Sequence, residues 1–547
     1  MVCFLFCSTY FHITCIVITI EAFRRKYVSV ATFNYWNRKN VKGPRPIAIF
    51  GNLLDLPLRR KHVGIIYKEI YDQYPDEKVV GIYRMTAPAL IIRDLDIVKQ
   101  ILIKDFDVFA DRGIAFSKEK MGDNLFHCDA DTWRVLRNRF TPAFTSGKLR
   151  STFHLFEQRG DRFMDYIENT CSKQPEQNVC ALFRKYAIAT IMAVIFDLDV
   201  DTFKDDYELF DEVDKALFTP SYATEMDMLY PGILQKYNIS IFGEAVVKFS
   251  RDVAETVIKQ RNGSPTNRGD IMDQLINLKQ MGAVQSGKRH ESDKELIMAI
   301  TDNLIASQVS ILLMAGYGNN TLSLTYAMFH LAQNDYIQER LRAEIDEVLE
   351  RHGGKLTYDS LHEMKYLDMV FSETLRMHPL TNSVSRSPNQ DYKFIDTDIT
   401  INKGTMVIIS PYAIQHDERH YPTPEKFDPE RFSPEVARDR HPCAYIPFGA
   451  GPRVCLGKMR LQARRPTKAN MMEYIQKQNF MNILTHYSTL FTGTRLAKIQ
   501  FGVCVVKLLS LFRVEVSSRT PHAINYDPYR TMLSPIGGLY LNLIPRN

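Results

Sequence analysis

The chain has 547 residues, 45% apolar and 24% charged, with a formal net charge of +6. That is ordinary globular composition, which excludes disordered and fibrous classes; nothing reads as a linker between two cores, so one large domain with room for a bulky group is expected. Nine cysteines, with no CxxC pair and no regular spacing, argue against a disulfide scaffold or zinc ribbon and point to a reducing compartment.

In chain order, residues 2–20 carry no formal charge, and Arg24, Arg25 and Lys26 follow. Nineteen helical residues are about 28 Å long, close to a bilayer core. The positive flank after the run favours a signal-anchor over residues 1–22 with the body of the protein cytoplasmic. A basic linker over 23–46 ends at Pro44-Arg45-Pro46, which stiffens the chain into a hinge, and the catalytic domain then spans 47–547. Short strands are predicted at 79–83 and 89–92. From 131 to 375 apolar residues recur three and four apart, so the region is largely helical. Its clearest member is a charged surface helix over 335–350, stopped by Gly353-Gly354. The charged stretch 288–294 reads as solvated, Cys171 and Cys180 as small buried apolar residues, and the chain after Pro379 as short strands and proline-rich loops.

Two motifs invite a metal or ligand. His416-Asp417-Glu418-Arg419-His420 sets two histidines four apart, as in zinc hydrolases, but the acid after the first is Asp, and Pro422 and Pro424 oppose a helix. A loop is expected there. The run Pro447-Phe448-Gly449-Ala450-Gly451-Pro452-Arg453-Val454-Cys455-Leu456-Gly457 is chemically denser. An iron-bound thiolate must approach a porphyrin closely and be shielded, with its charge supported by backbone N–H groups. Glycines allow the tight turn, Phe448 can shield the sulfur and Arg453 can pair with a propionate. A nucleotide loop is the rival, but the third glycine fails at Val454.

With Phe448, Gly451, Arg453, Cys455 and Gly457 in this spacing, the chain resembles the cytochrome P450 family, in its microsomal insect type. The resemblance extends to Glu373 and Arg376 in FSETLRMHP, to Arg431 in FDPERF, and to Trp133 and Arg137, one helical turn apart. It implies a mainly α fold with small β-sheets, the cytochrome P450 fold, carried on an N-terminal membrane anchor. It also implies haem b with its iron on Cys455, and propionate contacts from Trp133, Arg137, Arg386 and Arg453. Glu373, Arg376 and Arg431 would form a structural ion-pair network. The activity implied is oxygen insertion into a lipophilic small molecule. Electrons would come from NADPH through a membrane-bound reductase, with cytochrome b5 as a further partner and the endoplasmic reticulum membrane as location. Arg137, Arg139, Lys148 and Lys498 are candidate basic contacts for the reductase, their alternative being a solvated face. Residues 116–129 and 381–387 are expected to line the pocket, and no nucleic-acid partner is expected.

Two departures stand out. The family's distal helix reads Ala-Gly-x-acid-Thr, whereas here Ala315-Gly316-Tyr317-Gly318-Asn319 stands. Ala315 and Gly316 keep the small surface for oxygen and substrate; the acid and the alcohol that support proton delivery are missing. Thr321 points about 200° away from the expected position, and an Asn amide does not relay a proton as a hydroxyl does. Three readings stay open: an ordinary monooxygenase, a haem-thiolate enzyme rearranging a peroxide, and a haem-bearing binding protein with little turnover.

The second departure follows Cys455. The family continues directly into a helix, but its expected continuation, Thr494-Arg495-Leu496-Ala497-Lys498-Ile499-Gln500, comes only after residues 458–493. Without those 36 residues the chain reads CLGTRLAKIQ and has 511 residues. Gly457-Lys458 can be encoded as GGT-AAG and Phe491-Thr492-Gly493 as TTT-ACA-GGN, a splice donor and acceptor, so a retained intron is expected over a genuine insertion. The segment carries six basic residues against Glu473, a net of +5 out of the chain's +6, so the basic balance belongs to it.

Overall fold

The structure is a computed structural model that describes residues 33–114, 116, 121–204, 207–220, 224, 227, 232–285, 297–456 and 493–546. The expected anchor, Gly457 and nearly all of the 458–493 segment lie outside the described residues, as does the charged stretch 288–294. Among the described residues no helix is long and apolar enough to cross a membrane.

The helices that bear on the site and its frame are α1 Val63–Asp72, α2 Leu95–Lys99, α3 Ala130–Phe140, α4 Phe153–Cys171, α5 Val179–Ile195, α6 Tyr207–Phe218, α7 Glu244–Gln260, α8 Ile271–Met281, α9 Asp302–Leu313, α10 Asn319–Gln333, α11 Asp335–Arg351, α12 Lys365–Met377 and α13 Gly493–Leu511. The strands that matter are β1 Val79–Arg84, β2 Ala87–Ile92, β3 Glu176–Asn178, β4 Val384–Arg386, β5 Met406–Ile409, β6 Phe512–Val516 and β7 Tyr540–Pro545. They form one sheet in the order β1-β2-β5-β4 and another in the order β6-β7-β3. The architecture is mainly α with small sheets, as expected.

The two early strands form where predicted, each slightly longer. β-branched residues fill them, and Val79, Val80, Ile82, Leu90, Ile91 and Ile92 are all buried, because the sheet is covered on both faces. The charged helix also appears: Leu341, Ile345 and Val348 of α11 are buried on one face, and Gly353 and Gly354 take positive φ just beyond its end. The 131–375 region is not wholly helical. β3 lies in it, as does a hairpin pairing Ala283–Gln285 with Ile297–Ala299. α9 and α10 are one long element interrupted at Met314–Gly318, which is wound as a π-turn.

The histidine motif is a loop. The helix Pro411–Gln415 stops before His416, and Asp417 accepts the Tyr71 hydroxyl at 2.8 Å and the Arg419 guanidinium at 2.6 Å. The carboxylate thus ties this loop to α1. Among the described residues no group of three or more His, Cys, Asp or Glu side chains could hold a metal.

Candidate functional site

The cysteine loop turns back on itself through two short bonds. The Val454 N–H donates to the Gly451 carbonyl at 3.1 Å and the Cys455 N–H to the Phe448 carbonyl at 3.0 Å. Gly451 has a positive φ, and a Cβ there would collide with the Leu102 carbonyl, so only glycine lets the loop lie against the π-turn Gln100–Lys104 that follows α2. The outcome is a Cys455 that is exposed although Arg453 and Val454 beside it are buried. The Val454 and Cys455 N–H groups are thus both used within the loop.

Three arginines from distant segments meet beside this loop. Ser387 donates its N–H to the Asp111 carbonyl at 2.9 Å, in a bridge that brings Arg112 next to Arg386 at the end of β4. Arg453 donates to the carbonyls of Cys128 and Asp129 at 2.9 and 3.1 Å, and its guanidinium lies 4.9 Å from the Trp133 ring. Arg386 is 1% exposed and Arg453 4%. Arg112 Nε, Arg386 Nε, and Arg453 Nε and Nη1 are buried with no hydrogen-bond partner among the described residues. Burial pushes the Arg386 guanidinium down to about 9, with Arg453 adding to the shift; burial likewise lowers Arg112, and Arg386 and Arg453 lower it further. Buried cations normally sit against a carboxylate. Among the described residues none of these three forms an ion pair. The cluster is therefore suited to receive a ligand with more than one negative charge.

A second group of charges sits behind the loop and is paired within itself. Glu373 and Arg376 on α12 are both fully buried, bonded at 2.7 and 2.9 Å. Arg376 also donates to the carbonyls of Gln415 and Pro424, and Glu373 accepts the Asp428 N–H at 2.9 Å. Arg431 lies 3.5 Å from Glu373. Burial raises the Glu373 carboxyl, and Arg376 opposes that shift.

On the distal element Ala315 is exposed while Leu313, Tyr317 and Gly318 are buried, so it faces an open space. Asn319 follows on the same face and donates its amide to the Ala315 carbonyl at 2.9 Å. Thr321 is buried and donates to the Tyr317 carbonyl at 2.9 Å, turned away as its helical angle requires.

Residues 41–461 match the family model described as Cytochrome P450. The chain is 43% identical to cytochrome P450 6B2 of Helicoverpa armigera over 94% of its length and 95% of that protein. It is 44% identical to cytochrome P450 6B1 of Papilio polyxenes over 97% of its length and 99% of that protein. With cytochrome P450 6k1 of Blattella germanica it shares 35% over 78% of its length and 83% of that protein. The chain belongs to the cytochrome P450 family. It is accordingly a haem-thiolate monooxygenase whose cofactor is haem with its iron, and family membership does not favour the rearrangement or binding-protein readings.

The residues fit a haem, since a group with two carboxylates answers three neighbouring arginines that each keep a buried nitrogen without a hydrogen-bond partner among the described residues. The structure adds detail around several of the expected residues of this cytochrome P450. Arg137 donates to the Cys455 carbonyl at 3.1 Å and is held down to about 10 by burial, so it braces the cysteine loop itself. Beside Gly316, Ile191 of α5 occupies the space a side chain there would need, with Cδ1 2.8 Å from the Cβ position, and Ala315 is the exposed residue of the pair. Of the four candidate reductase contacts, Arg137 is turned inward, Lys148 donates to the Arg268 carbonyl and Lys498 pairs with Asp368, both at 2.7 Å. Arg139 is exposed. The sequence reading missed Arg112, whose position depends on the bridge to Ser387.

Proposed function

We propose that Cys455 holds the haem iron through its thiolate and that Arg112, Arg386 and Arg453, with Trp133 packed beneath Arg453, hold the two propionates. Bound there, the haem supplies reductive activation of dioxygen, so that one oxygen atom enters a lipophilic small molecule. Electrons come from NADPH through a membrane-bound reductase, with cytochrome b5 as a second donor. The chain's residues bind and orient: the arginine cluster neutralises the propionates, Phe448 and the loop shield the sulfur, and Ala315 leaves room for oxygen and substrate. Glu373, Arg376 and Arg431 fix the segments behind the loop. Asn319 stands where a hydroxyl would deliver protons, so its Oδ1 holds a water in that role.

Residues 1–22 anchor the protein in the endoplasmic reticulum membrane, 23–46 form the linker, and the rest is the cytoplasmic catalytic domain. The 458–493 segment is a retained intron. Its removal joins Gly457 to the sequence that opens α13, and the family match ends at 461, within the segment. The observation that carries the haem reading is the trio of arginines that form no ion pair among the described residues, in front of an exposed cysteine. Turnover of a panel of lipophilic compounds by the 511-residue form with reductase and NADPH tests the activity. Product that depends on NADPH supports it, and product formed from a hydroperoxide without NADPH contradicts it.

A further inference from the structure

The last turn of α6 grips the distal element at two points. Asp214 and Phe218 are four residues apart, hence on one face. Phe218 is 5% exposed, and its ring lies edge-on to Tyr317 with centroids 5.5 Å apart. A Cβ built on Gly318 would lie 2.4 Å from Phe218 Cζ and 2.9 Å from Cε1, closer than side chains approach. The ring therefore takes the room that any side chain at 318 would need. One turn back along α6, Asp214 accepts the Tyr317 hydroxyl at 3.3 Å. Asp214 is itself fixed by Arg184 at 3.3 Å and Arg530 at 3.2 Å, and the Phe218 carbonyl accepts the Thr531 N–H at 2.8 Å. Two adjacent residues of the π-turn are thus held by a ring and a carboxylate, both anchored to other parts of the chain.

We propose that Gly318 and Phe218 are a size-matched pair, and that Phe218 is a positioning residue for the oxygen-side pocket. Position 318 lies beside Ala315 and Asn319 on the helix surface. The ring in its place excludes water and side chains from that edge, and it fixes the turn from which Asn319 projects. On this account glycine at 318 is imposed by α6 and is not simply a lost acid. An acid can return only if the ring leaves.

The test is a mutant cycle on the haem-loaded chain, with Gly318→Ala, Phe218→Ala and both together. Gly318→Ala is expected to lower the melting temperature by roughly 2–5 °C and to reduce haem retained, as overpacking does. In the Phe218→Ala background the same change is expected to cost less than half as much. Equal losses in both backgrounds, or none in either, overturn the pairing. If Phe218→Ala fails to fold, Phe218→Leu replaces it, with partial relief expected and no relief counting against.

A second readout separates positioning from packing and rests on the monooxygenase reading. Phe218→Ala with Gly318→Glu should form several-fold more product per NADPH consumed than Phe218→Ala alone, with a new limb in its pH profile. No change in either overturns the positioning role. Absence of NADPH-dependent turnover in the parent chain counts against the monooxygenase reading, while the melting cycle still decides the pairing.

Discussion

Asn319 donates its side-chain amide to the Ala315 carbonyl, 2.9 Å away and one turn back on the face that opens to the pocket. The next two residues do the same: Asn320 donates to Gly316 at 3.1 Å and Thr321 to Tyr317 at 2.9 Å. A π-turn widens the helix and disturbs its ladder of carbonyl partners. Three consecutive side chains here supply donors to three consecutive carbonyls, so the sequence Asn-Asn-Thr suits the distortion.

Asn319→Thr exchanges the amide for a hydroxyl that donates and accepts. The variant should direct a larger share of NADPH into product and less into hydrogen peroxide, a gain of about tenfold or more if the hydroxyl assumes general-acid relay. Parallel assays of product, NADPH and peroxide check this. An unchanged ratio would mean that proton delivery does not run through position 319.

Arg112, Arg386 and Arg453 repel one another wherever no anion lies between them. Arg112→Met should therefore raise the melting temperature of the haem-free protein while weakening haem retention by about 10- to 100-fold, the loss of one charge-assisted contact. Haem transfer to an acceptor protein measures the second effect and thermal unfolding the first. A variant that loses stability in both forms would show that the arginine is structural.

Removing one member of the Glu373–Arg376 pair leaves the other charge buried and uncompensated. Arg376→Leu should cost about 3–5 kcal/mol, seen as loss of soluble, haem-loaded protein. Reading urea unfolding of the residual folded fraction checks the size of the effect, and a loss below about 1 kcal/mol, as for an exposed pair, would contradict the burial.

Acid should unfold this protein early. Burial holds His330 and His416 neutral, each down to about 3 against an ordinary 6.5, and His62 down to about 4. The folded state resists their protonation and the unfolded state does not. Their contribution is thus fully present above pH 6.5 and is lost as pH falls toward 3, with each histidine adding about 1.4 kcal/mol per pH unit within that window. His330→Gln should flatten the dependence of stability on pH between 6 and 4; an unaltered slope would place His330 in contact with water.

What the sequence made legible follows from period and local chemistry. β1, β2 and α11 were readable because their apolar residues recur at strand or helix spacing. Residues 416–420 were readable as a loop because Pro422 and Pro424 act locally. Arg112 was not readable, since its place depends on Asp111 meeting Ser387 across the fold. Nothing in Met-Ala-Gly-Tyr-Gly marks a π-turn either, nor that Phe218 and Ile191 pack against its two glycines. Arg137 illustrates the same limit: spacing placed it one turn from Trp133, but only packing shows that it reaches the Cys455 carbonyl.

The most direct measurement of the central claim is the difference spectrum of the reduced, carbon-monoxide-bound protein, taken with the 547-residue chain, the 511-residue form and the latter carrying Cys455→Ala. The 511-residue form should give the long-wavelength Soret band of a thiolate-ligated haem, the full chain a weaker one, and Cys455→Ala none. The same band in the Cys455→Ala protein, or no haem in either parent form, would contradict the assignment of Cys455 as the iron ligand.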